Sequence, residues 1–273
     1  MTSAAPGGTA GLYVYAVVPH DLDPATLGVG IDAVALEVVA VSEGVAAVVH
    51  RHDAPPYAGS GRDAERRVLE HGNVVERCWA HAGTVLPLGL NVIVTPGENE
   101  SASERLAHWL RANAAALAER LAALEGRVEL RVEISLDGRA AASGSEESRR
   151  VEAELAERPA GVQRLLARKL AALAAEAVEE RADRLYPEYR RRLAALSEDL
   201  TENLRGHPPA GCATVLNVSV LARRGDVPRL GQALSDIEAE DPAVRVQFLG
   251  PWPPFSFADV PGSRNGPSEL DGS

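Results

Sequence analysis

The sequence predicts an α+β protein with two domains, and three of its features carry that prediction. Residues 127–136, RVELRVEISL, alternate strictly between apolar and charged side chains, which is typical of a strand in an antiparallel or mixed sheet. Residues 101–126 have a capping box at one end, a glycine at the other and leucines at helical spacing between them. The length of 273 residues is sufficient for two ordinary domains.

The first domain begins with three predicted strands. Residues 12–18, LYVYAVV, are rich in β-branched and aromatic side chains and predict the first of them. A loop with one short helical turn at DPATL follows. Residues 35–41 and 45–49 are two further apolar runs, and the tripeptide SEG between them predicts a tight hairpin.

A helix and another strand complete this domain. Apolar side chains spaced by threes and fours predict a helix over 63–82. Its predicted buried stripe consists of Ala64, Val68, His71, Val75, Cys78 or Trp79, and Ala82. Residues 84–94 predict a strand in which Pro87 and Gly89 favour an edge position or a bulge. This order is a split β-α-β unit with a shrunken first helix, which is predicted to form a first domain over residues 11–96.

Residues 97–258 are predicted to form the second α+β domain, with a long helical region and a small sheet. The capping-box helix opens it, and the alternating strand is expected to bury its apolar face and to keep its charged face in water. The predicted wet face consists of Arg127, Glu129, Arg131 and Glu133. A helical region over about 161–205 follows, which Pro187 should kink or split.

The end of the second domain is predicted to contain two more strands with a helix between them. The strands lie at 214–221 and 244–249, where apolar residues dominate or alternate. Asp226 is the expected cap of the intervening helix, and Pro242 is expected to stop it.

Composition and charge limit what the protein can do. The net charge of −11 argues against binding to nucleic acid, which needs clustered lysine or arginine. Cys78 and Cys212 form no C-x-x-C pattern, which argues against a zinc cage or a disulfide framework and favours a cytoplasmic protein. Residues 1–10 lack the pattern of a signal peptide, and we expect them and the tail 259–273 to be disordered. No uncharged apolar run is long enough to span a membrane.

Three motifs could carry chemistry, but each has a plainer interpretation. GVGIDA at 28–33 matches a dinucleotide-binding fingerprint, yet a β-rich run follows it instead of a helix. HRHD at 50–53 could hold a metal, but no third ligand is placed near it, so a solvated loop is favoured. His71 is interpreted as a core histidine satisfied by one hydrogen bond. With no P-loop and no nucleophile motif, we expect no enzymatic activity, no catalytic residues, no cofactor and no metal.

The segment GPWPPFSFA at 250–258 concentrates aromatic residues in a chain that has only 4% of them. Its candidate partner-binding residues are Trp252, Phe255 and Phe257. The prolines should end the last strand and hold the chain extended. The density of rings favours a plug in the seam between the two domains, since such clusters are rare on protein surfaces. The alternative is that the rings are exposed and receive another protein.

Four segments of the chain resemble one known family. They are GLYVYAVVP near the start, VLEHGNVVERCWAHAGTVLPLGL in the middle, EGRVELRVEIS after the central helix, and FLGPWPPFSFA at the end. In this order and spacing, over about 11–258, they resemble the gas vesicle protein F/L family, and the last segment is the most specific. The chain departs from the family's usual Arg-Phe-Gly run after LPL, where it has Gly89, Leu90 and Asn91.

The resemblance implies two α+β domains, the first a modified ferredoxin-like fold. It also implies a non-enzymatic accessory factor that binds the small apolar gas vesicle shell protein, acts with other accessory proteins and is a minor component of the vesicle. We therefore expect a cytoplasmic, vesicle-associated protein that prevents the shell protein from aggregating or nucleates its assembly. The edge strand with Pro87 and Gly89 is the preferred docking site. The alternative is a ferredoxin-like regulatory or small-ligand-binding module.

Overall fold

The computed structural model describes residues 11–138, 140, 160–203, 206 and 208–261, with side chains between 160 and 174 described only at Arg168 and Ala172. The chain forms two compact units, each with helices and its own sheet, so the predicted α+β class is confirmed. The predicted disorder of 1–10 lies outside the described residues, as does that of 262–273. The predicted tail nevertheless begins too early, because Val260 is buried.

The first unit contains a five-stranded antiparallel sheet. Its strands are β1 (Gly11–Pro19), β2 (Glu37–Ala40), β3 (Val45–His52), β4 (Leu86–Pro87) and β5 (Ile93–Val94). The order is β2-β3-β1-β4, and β5 also pairs with β1. β3 therefore lies between β1 and β2, and β1 lies between β3 and β4. This is the split β-α-β order that the sequence predicts, including the hairpin between β2 and β3.

Two short turns replace the first crossover helix of this unit. They are the 3-10 helices Pro24–Thr26 and Ile31–Ala33, and we call the segment 24–33 the crossover. The side chain of Asp23 caps the first turn, as the DPATL signal suggests. Arg77 then donates two hydrogen bonds to the crossover, to the carbonyls of Leu27 at 2.6 Å and Val29 at 2.7 Å. These bonds fix a segment that has no long helix of its own.

Helix α1 (Arg62–Ala82) lies close to its predicted range and ends at Gly83, which adopts the left-handed conformation. Its buried face consists of His71, Val74, Val75 and Cys78. The predicted stripe is wrong at Val68, which is 53% exposed, and the neighbouring Leu69 is 67% exposed. The buried face of α1 is therefore rotated about the helix axis relative to the predicted stripe, and it includes Val74, which the prediction left out.

The predicted strand over 84–94 is interrupted in the middle. β4 and β5 each form two residue pairs with β1, and five residues lie between them. At the two ends of this stretch the amide of Leu88 donates to the carbonyl of Tyr15 at 2.9 Å and the amide of Val14 donates to the carbonyl of Val92 at 2.8 Å. We call residues 88–92 the edge loop. Asn91 turns this loop with a φ of 69°, a conformation that asparagine tolerates better than most residues. The predicted edge position with a bulge therefore describes this region correctly, whereas a continuous strand does not.

Helix α2 (Ala102–Leu124) begins with the predicted capping box of Ser101 and Glu104. It packs against β1, β2, β3 and β5, and its leucines are buried. Since α1 packs against β1 as well, most of β1 is buried on both faces. The predicted domain boundary at 96/97 thus differs from the structure. The first unit extends to Val128 and includes the chain from Trp252 onward, because α2 is needed to cover the first sheet.

The second unit, from Glu129 to Pro251, is built on a four-stranded sheet with the order β7-β8-β6-β9. Its elements are β6 (Arg127–Asp137), α3 (Ala160–Ala194), β7 (Asp199–Glu202), β8 (Cys212–Arg223), α4 (Val227–Glu240) and β9 (Val244–Trp252). β7 and β8 are antiparallel. The predicted strands at 214–221 and 244–249 correspond to β8 and β9.

Two predictions for this unit are wrong. The helical region ends at Ala194 instead of 205, because residues 199–202 pair with β8 as β7. Pro187 lies inside this helix and does not split it. The charged face of β6 is not wet along its whole length, since Glu129 and Glu133 are each 6% exposed. The hydroxyl of Thr214 donates to the Glu133 carboxylate at 3.2 Å, which helps to satisfy a buried acceptor.

Candidate partner-binding site and a buried Tyr–His cluster

The aromatic segment, residues 252–257, is held in place by its prolines and by a short turn. Pro253 and Pro254 are buried, and the chain then forms the 3-10 helix Phe255–Phe257. The amide of Phe255 donates to the carbonyl of Pro253 at 2.8 Å, and the amide of Phe257 donates to that of Pro254 at 3.2 Å. Because proline fixes the backbone φ angle, this segment has little freedom to rearrange.

Helix α2 binds the end of the aromatic segment through Arg120. The Arg120 guanidinium donates from Nε to the carbonyl of Phe257 at 2.9 Å and from Nη2 to the same oxygen. The Phe257 ring is 3% exposed, and Ala258 and Val260 after it are also buried. The end of the aromatic segment is therefore part of the core of the first unit.

The other two rings of the segment are on the surface. Trp252 is 37% exposed and Phe255 is 41% exposed, so the three candidate residues are not equivalent. The prediction that all three rings plug a seam does not describe Trp252 and Phe255, whose rings retain contact with water. A partner surface made of all three rings does not fit either, because Phe257 is buried.

A second group of rings lies inside the first unit. Six side chains form what we call the Tyr–His cluster: Tyr13, Tyr15, His50, His52, Tyr57 and His71. The rings of Tyr13 and His50 stack with their centroids 4.9 Å apart, and those of Tyr15 and His71 stack at 5.3 Å. β1 and β3 pair Tyr13 with His50, and the register shifts at Tyr15. The ring contacts of Tyr13 with Tyr15 and with His52 place these side chains on the same face.

Hydrogen bonds fix the protonation of His71. Its Nε2 lies 2.9 Å from the carbonyl of Leu88, which can only accept, so Nε2 carries the proton and donates. Its Nδ1 therefore accepts from the Tyr13 hydroxyl at 2.9 Å. That hydroxyl in turn accepts from the amide of Asn91 at 3.2 Å. The interpretation of His71 as a hydrogen-bonded core histidine is confirmed, with two bonds instead of one.

His50 and Tyr15 repeat the arrangement. The amide of Ile31 donates to the Tyr15 hydroxyl at 2.8 Å, and this hydroxyl donates to Nδ1 of His50 at 2.7 Å. The proton of neutral His50 is then on Nε2, which is buried and has no hydrogen-bond partner among the described residues. The prediction of a solvated loop at HRHD is wrong, because His50 and His52 belong to β3 and are both buried.

Two tyrosine–histidine pairs of the cluster, Tyr13 with His71 and Tyr15 with His50, are electrically neutral near pH 7. Burial lowers the pKa of His50 and of His71 from the usual 6.5 to about 4. Burial also raises the pKa of the Tyr13 and Tyr15 hydroxyls above their usual value. Neither pair therefore exchanges protons readily with a substrate at neutral pH, and both serve to hold backbone segments.

The remaining sequence motifs show no chemistry in the described part of the chain. Burial raises the pKa of the Cys78 thiol to about 12, so this thiol is not a nucleophile at neutral pH. No described group of three His, Cys, Asp or Glu side chains could hold a metal ion. GVGIDA leads into the second crossover turn and then into β2, so it lacks the helix that a dinucleotide needs.

One surface cavity of about 280 Å³ lies at the start of α2. It is lined by Asn99, Glu100, Glu104, Ala107, His108 and Arg111. Small-molecule sites are usually enclosed and mostly apolar, and this lining is mostly polar or charged. Among the described helices, none is both long and apolar enough to cross a membrane.

Sequence reasoning missed the Tyr–His cluster, although its signal is present. Tyr13 and Tyr15 are two residues apart in one strand, and His50 and His52 are two apart in another, so each pair faces one way. What the sequence does not show is that the two pairs lie side by side. It also does not indicate that Val68 and Leu69 face solvent.

The fold and these two groups of side chains define a class: a two-unit α+β protein whose described buried histidines and tyrosines hold its own backbone. The comparisons with known proteins identify the family. The sequence model described as "Gas vesicle synthesis protein GvpL/GvpF" matches residues 11–259, and the chain belongs to this family.

Individual relatives agree with this assignment. The chain is 31% identical over 261 residues to gas vesicle protein L2 of Halobacterium salinarum, covering 91% of each protein. It is 26% identical over 226 residues to gas vesicle protein L of Haloferax mediterranei, covering 79% of this chain and 68% of the relative.

Crystal structures show the same fold. That of GvpF from Anabaena sp. PCC7120 matches with a TM-score of 0.66 at 19% identity, over 94% of this chain and 99% of that one. That of GvpF from Microcystis aeruginosa matches with a TM-score of 0.63 at 17% identity, over 92% and 99%. The predicted resemblance is confirmed, and the chain is a gas vesicle protein of the GvpL/GvpF family.

Proposed function

We propose that this protein is a non-enzymatic accessory factor of gas vesicle assembly that binds the small apolar shell protein and keeps it from aggregating or nucleates its assembly. We further propose that it acts in the cytoplasm and at the vesicle, together with other accessory proteins, as a minor component. Membership of the gas vesicle synthesis family GvpL/GvpF supports a role in gas vesicle assembly. The binding role itself is supported by the physical properties of one surface.

The observation that carries the proposal is the pair of exposed rings in the aromatic segment. Trp252 and Phe255 remain 37% and 41% exposed in a segment fixed by buried prolines and by Arg120. Aromatic side chains on a rigid base are favourable contact residues, because they offer apolar area with little loss of side-chain entropy. Phe257 is not part of the proposed contact surface and supports it from inside the core.

The edge of the first sheet is a weaker docking site than the sequence suggests. Strand addition needs a straight edge with a row of accessible backbone groups. β4 and β5 provide only two ladder pairs each, and the edge loop bulges between them. Bulges are a common way to prevent pairing at a sheet edge. We therefore place the contact at Trp252 and Phe255.

The overall charge suits a protein that handles an apolar partner. The net charge of −11 gives mutual repulsion between copies and keeps a complex dispersed. An apolar subunit covered by such a protein would remain in solution until it is transferred to a growing shell.

The proposal is tested by co-expressing the full chain with the gas vesicle shell protein and measuring how much shell protein is recovered in the soluble complex. The double variant Trp252→Ser/Phe255→Ser should recover roughly tenfold less, as expected when central aromatic contacts are removed. Leu69→Ser is the control, since it removes a still more exposed apolar side chain, 67% exposed, from α1 and should change nothing.

Two outcomes would contradict the proposal in different ways. Full recovery with the double variant would move the contact away from the aromatic segment. Failure of the unaltered protein to bind the shell protein at all would reject the binding function. A strong thermal stabilisation by a metabolite or metal in a ligand screen would instead favour the alternative, a regulatory or small-ligand-binding module.

A further inference from the structure

The Tyr–His cluster holds two backbone segments by the same device. In each case a loop amide donates to a tyrosine hydroxyl, and the hydroxyl donates to Nδ1 of a buried histidine. Tyr15 and His50 hold the crossover through the amide of Ile31. Tyr13 and His71 hold the edge loop through the amide of Asn91.

This device works only while the histidines are neutral. When Nδ1 takes up a proton it becomes a donor, and the hydroxyl hydrogen that pointed at it loses its acceptor. In the His71 pair, Nε2 must continue to donate to the carbonyl of Leu88, so the ring cannot adopt the other tautomer without losing that bond. Protonation therefore leaves a buried hydroxyl unsatisfied and a positive charge in the core, both of which are costly.

We propose that the two histidine–tyrosine pairs form an acid-sensitive latch, in which protonation of His50 and His71 releases the crossover and the edge loop while α2 and β3 stay folded. The edge loop is bonded to β1 at its two ends, where the amide of Leu88 donates to the carbonyl of Tyr15 and the amide of Val14 donates to the carbonyl of Val92. Arg77 holds the crossover at Leu27 and Val29. The residues not held by these bonds are the parts of the two segments that can open locally.

The surroundings do not offset the charge that protonation would create. His50 lies beside Tyr13 and Tyr15 of β1 and beside His52 of its own strand. It also interacts electrostatically with His71 of α1 and with the Asp32 carboxylate of the crossover. Asp32 is already bound by Arg66 at 2.7 Å. His71 faces the same two tyrosine hydroxyls.

The remaining charged groups near the cluster are engaged with each other. Arg67 lies over the ring of Tyr57, with its guanidinium carbon 4.8 Å from the ring centre. Glu70 accepts from Arg66 at 2.8 Å and from the amide of Asp32 at 3.0 Å. No described carboxylate forms a hydrogen bond to either ring, so desolvation dominates and favours neutral histidines.

The direction of the pH effect follows from the lowered pKa values. A released histidine binds a proton at its usual pKa of 6.5, whereas in the closed cluster His50 and His71 do so only near 4. The latch is therefore fully closed above pH 6.5 and weakens as the pH falls toward 4. At pH 5 the opening equilibrium should rise by about 30-fold per histidine, from the ratio of the two proton-binding terms.

Hydrogen exchange of the full-length protein tests this without any substitution. Amide protection, corrected for the intrinsic pH dependence of exchange, is compared at pH 7.5 and pH 5. Peptides covering 24–33 and 88–92 should lose protection by more than roughly tenfold, while peptides from α2 and β3 keep theirs. Unchanged protection in both segments would overturn the proposal, and so would an equal loss across the whole chain.

Single variants assign each pair to its segment at pH 7.5. Tyr15→Phe should open the crossover and leave the edge loop protected, and Tyr13→Phe should do the reverse. His108→Gln, measured at pH 7.5 and at pH 5, is the control, because its side chain is 79% exposed and its removal should leave both segments protected at pH 7.5 and the acid response unchanged. Opening of both segments by either tyrosine variant would show general loosening and would contradict two separate latches.

Discussion

The first unit uses aromatic rings in two opposite ways. Tyr13 and Tyr15 are fully buried, and each hydroxyl is bonded to a histidine and to a loop amide. Among the three aromatic side chains of the aromatic segment only Phe257 is buried, while Trp252 and Phe255 stay at the surface. A ring with a polar tip can organise the interior because the tip is satisfied there. Aromatic side chains held at the surface expose apolar area to water, and this area is available for contact with another protein.

The contrast also separates stability from binding. Removing a ring from the interior leaves a cavity or an unsatisfied partner, which lowers the free energy of unfolding. Removing a ring that is partly in water changes little in the folded protein, so its loss is visible mainly when a partner is present. Substitutions in the two regions should therefore give different patterns.

The largest effect is expected within the aromatic segment itself. Phe257→Ala should lower the free energy of unfolding by about 3–5 kcal/mol, because a buried phenylalanine leaves a cavity. Phe255→Ala, two residues earlier and 41% exposed, should cost no more than about 1 kcal/mol. Urea unfolding of the two variants measures both values. Equal costs would mean that the segment is not divided into a buried and an exposed part.

Local signals predicted much of this fold from the sequence. The capping box of Ser101 and Glu104, the hairpin tripeptide and the alternating residues 127–136 each depend on neighbours in the chain, and all correspond to elements of the structure. The resemblance to the family depended on four sequence segments that occur in the family's order and spacing. These features need no knowledge of the tertiary structure.

The errors arose where distant residues decide the outcome. Val68 fits an apolar stripe but faces solvent, because the position of α1 on the sheet selects Val74 instead. The sequence predicted that His50 is in contact with solvent. It is buried because β1 pairs with β3 and places Tyr13 and Tyr15 beside it. In the same way, tertiary packing decides that Phe257 is buried and that Trp252 is exposed. The spacing of the aromatic residues along the sequence does not contain this information.

The second prediction concerns the interior group and its close contact with the crossover. A Cβ added at Gly30 would lie 2.4 Å from the Tyr15 hydroxyl and 3.0 Å from the Leu36 side chain. Because Gly30 has an ordinary φ of −92°, any cost would come from this clash alone. Gly30→Ala should lower the free energy of unfolding by about 1–3 kcal/mol.

Gly72→Ala is the matched control for this variant. Gly72 lies inside α1, and a Cβ there would have no atom within 4 Å. The control should raise stability by about 0.5–1 kcal/mol through its better helix propensity. Thermal unfolding of both variants gives the comparison. If Gly30→Ala were as stable as the unaltered protein, the Tyr15 hydroxyl would not occupy the position that holds the crossover.

The smallest effect is expected at the anchor that joins the aromatic segment to α2. Arg120→Met keeps the length of the side chain but removes both donors to the carbonyl of Phe257. We expect a loss of about 1–2 kcal/mol, since a bond from a charged donor that is partly in water is worth less than a buried one. Arg111→Met, on the exposed side of the same helix, is the control. Amide exchange should rise in residues 252–261 of the Arg120 variant alone. If that segment stayed protected, the buried Phe257 ring would suffice to fix it, and the rigidity that presents Trp252 and Phe255 would come from packing instead of from the guanidinium.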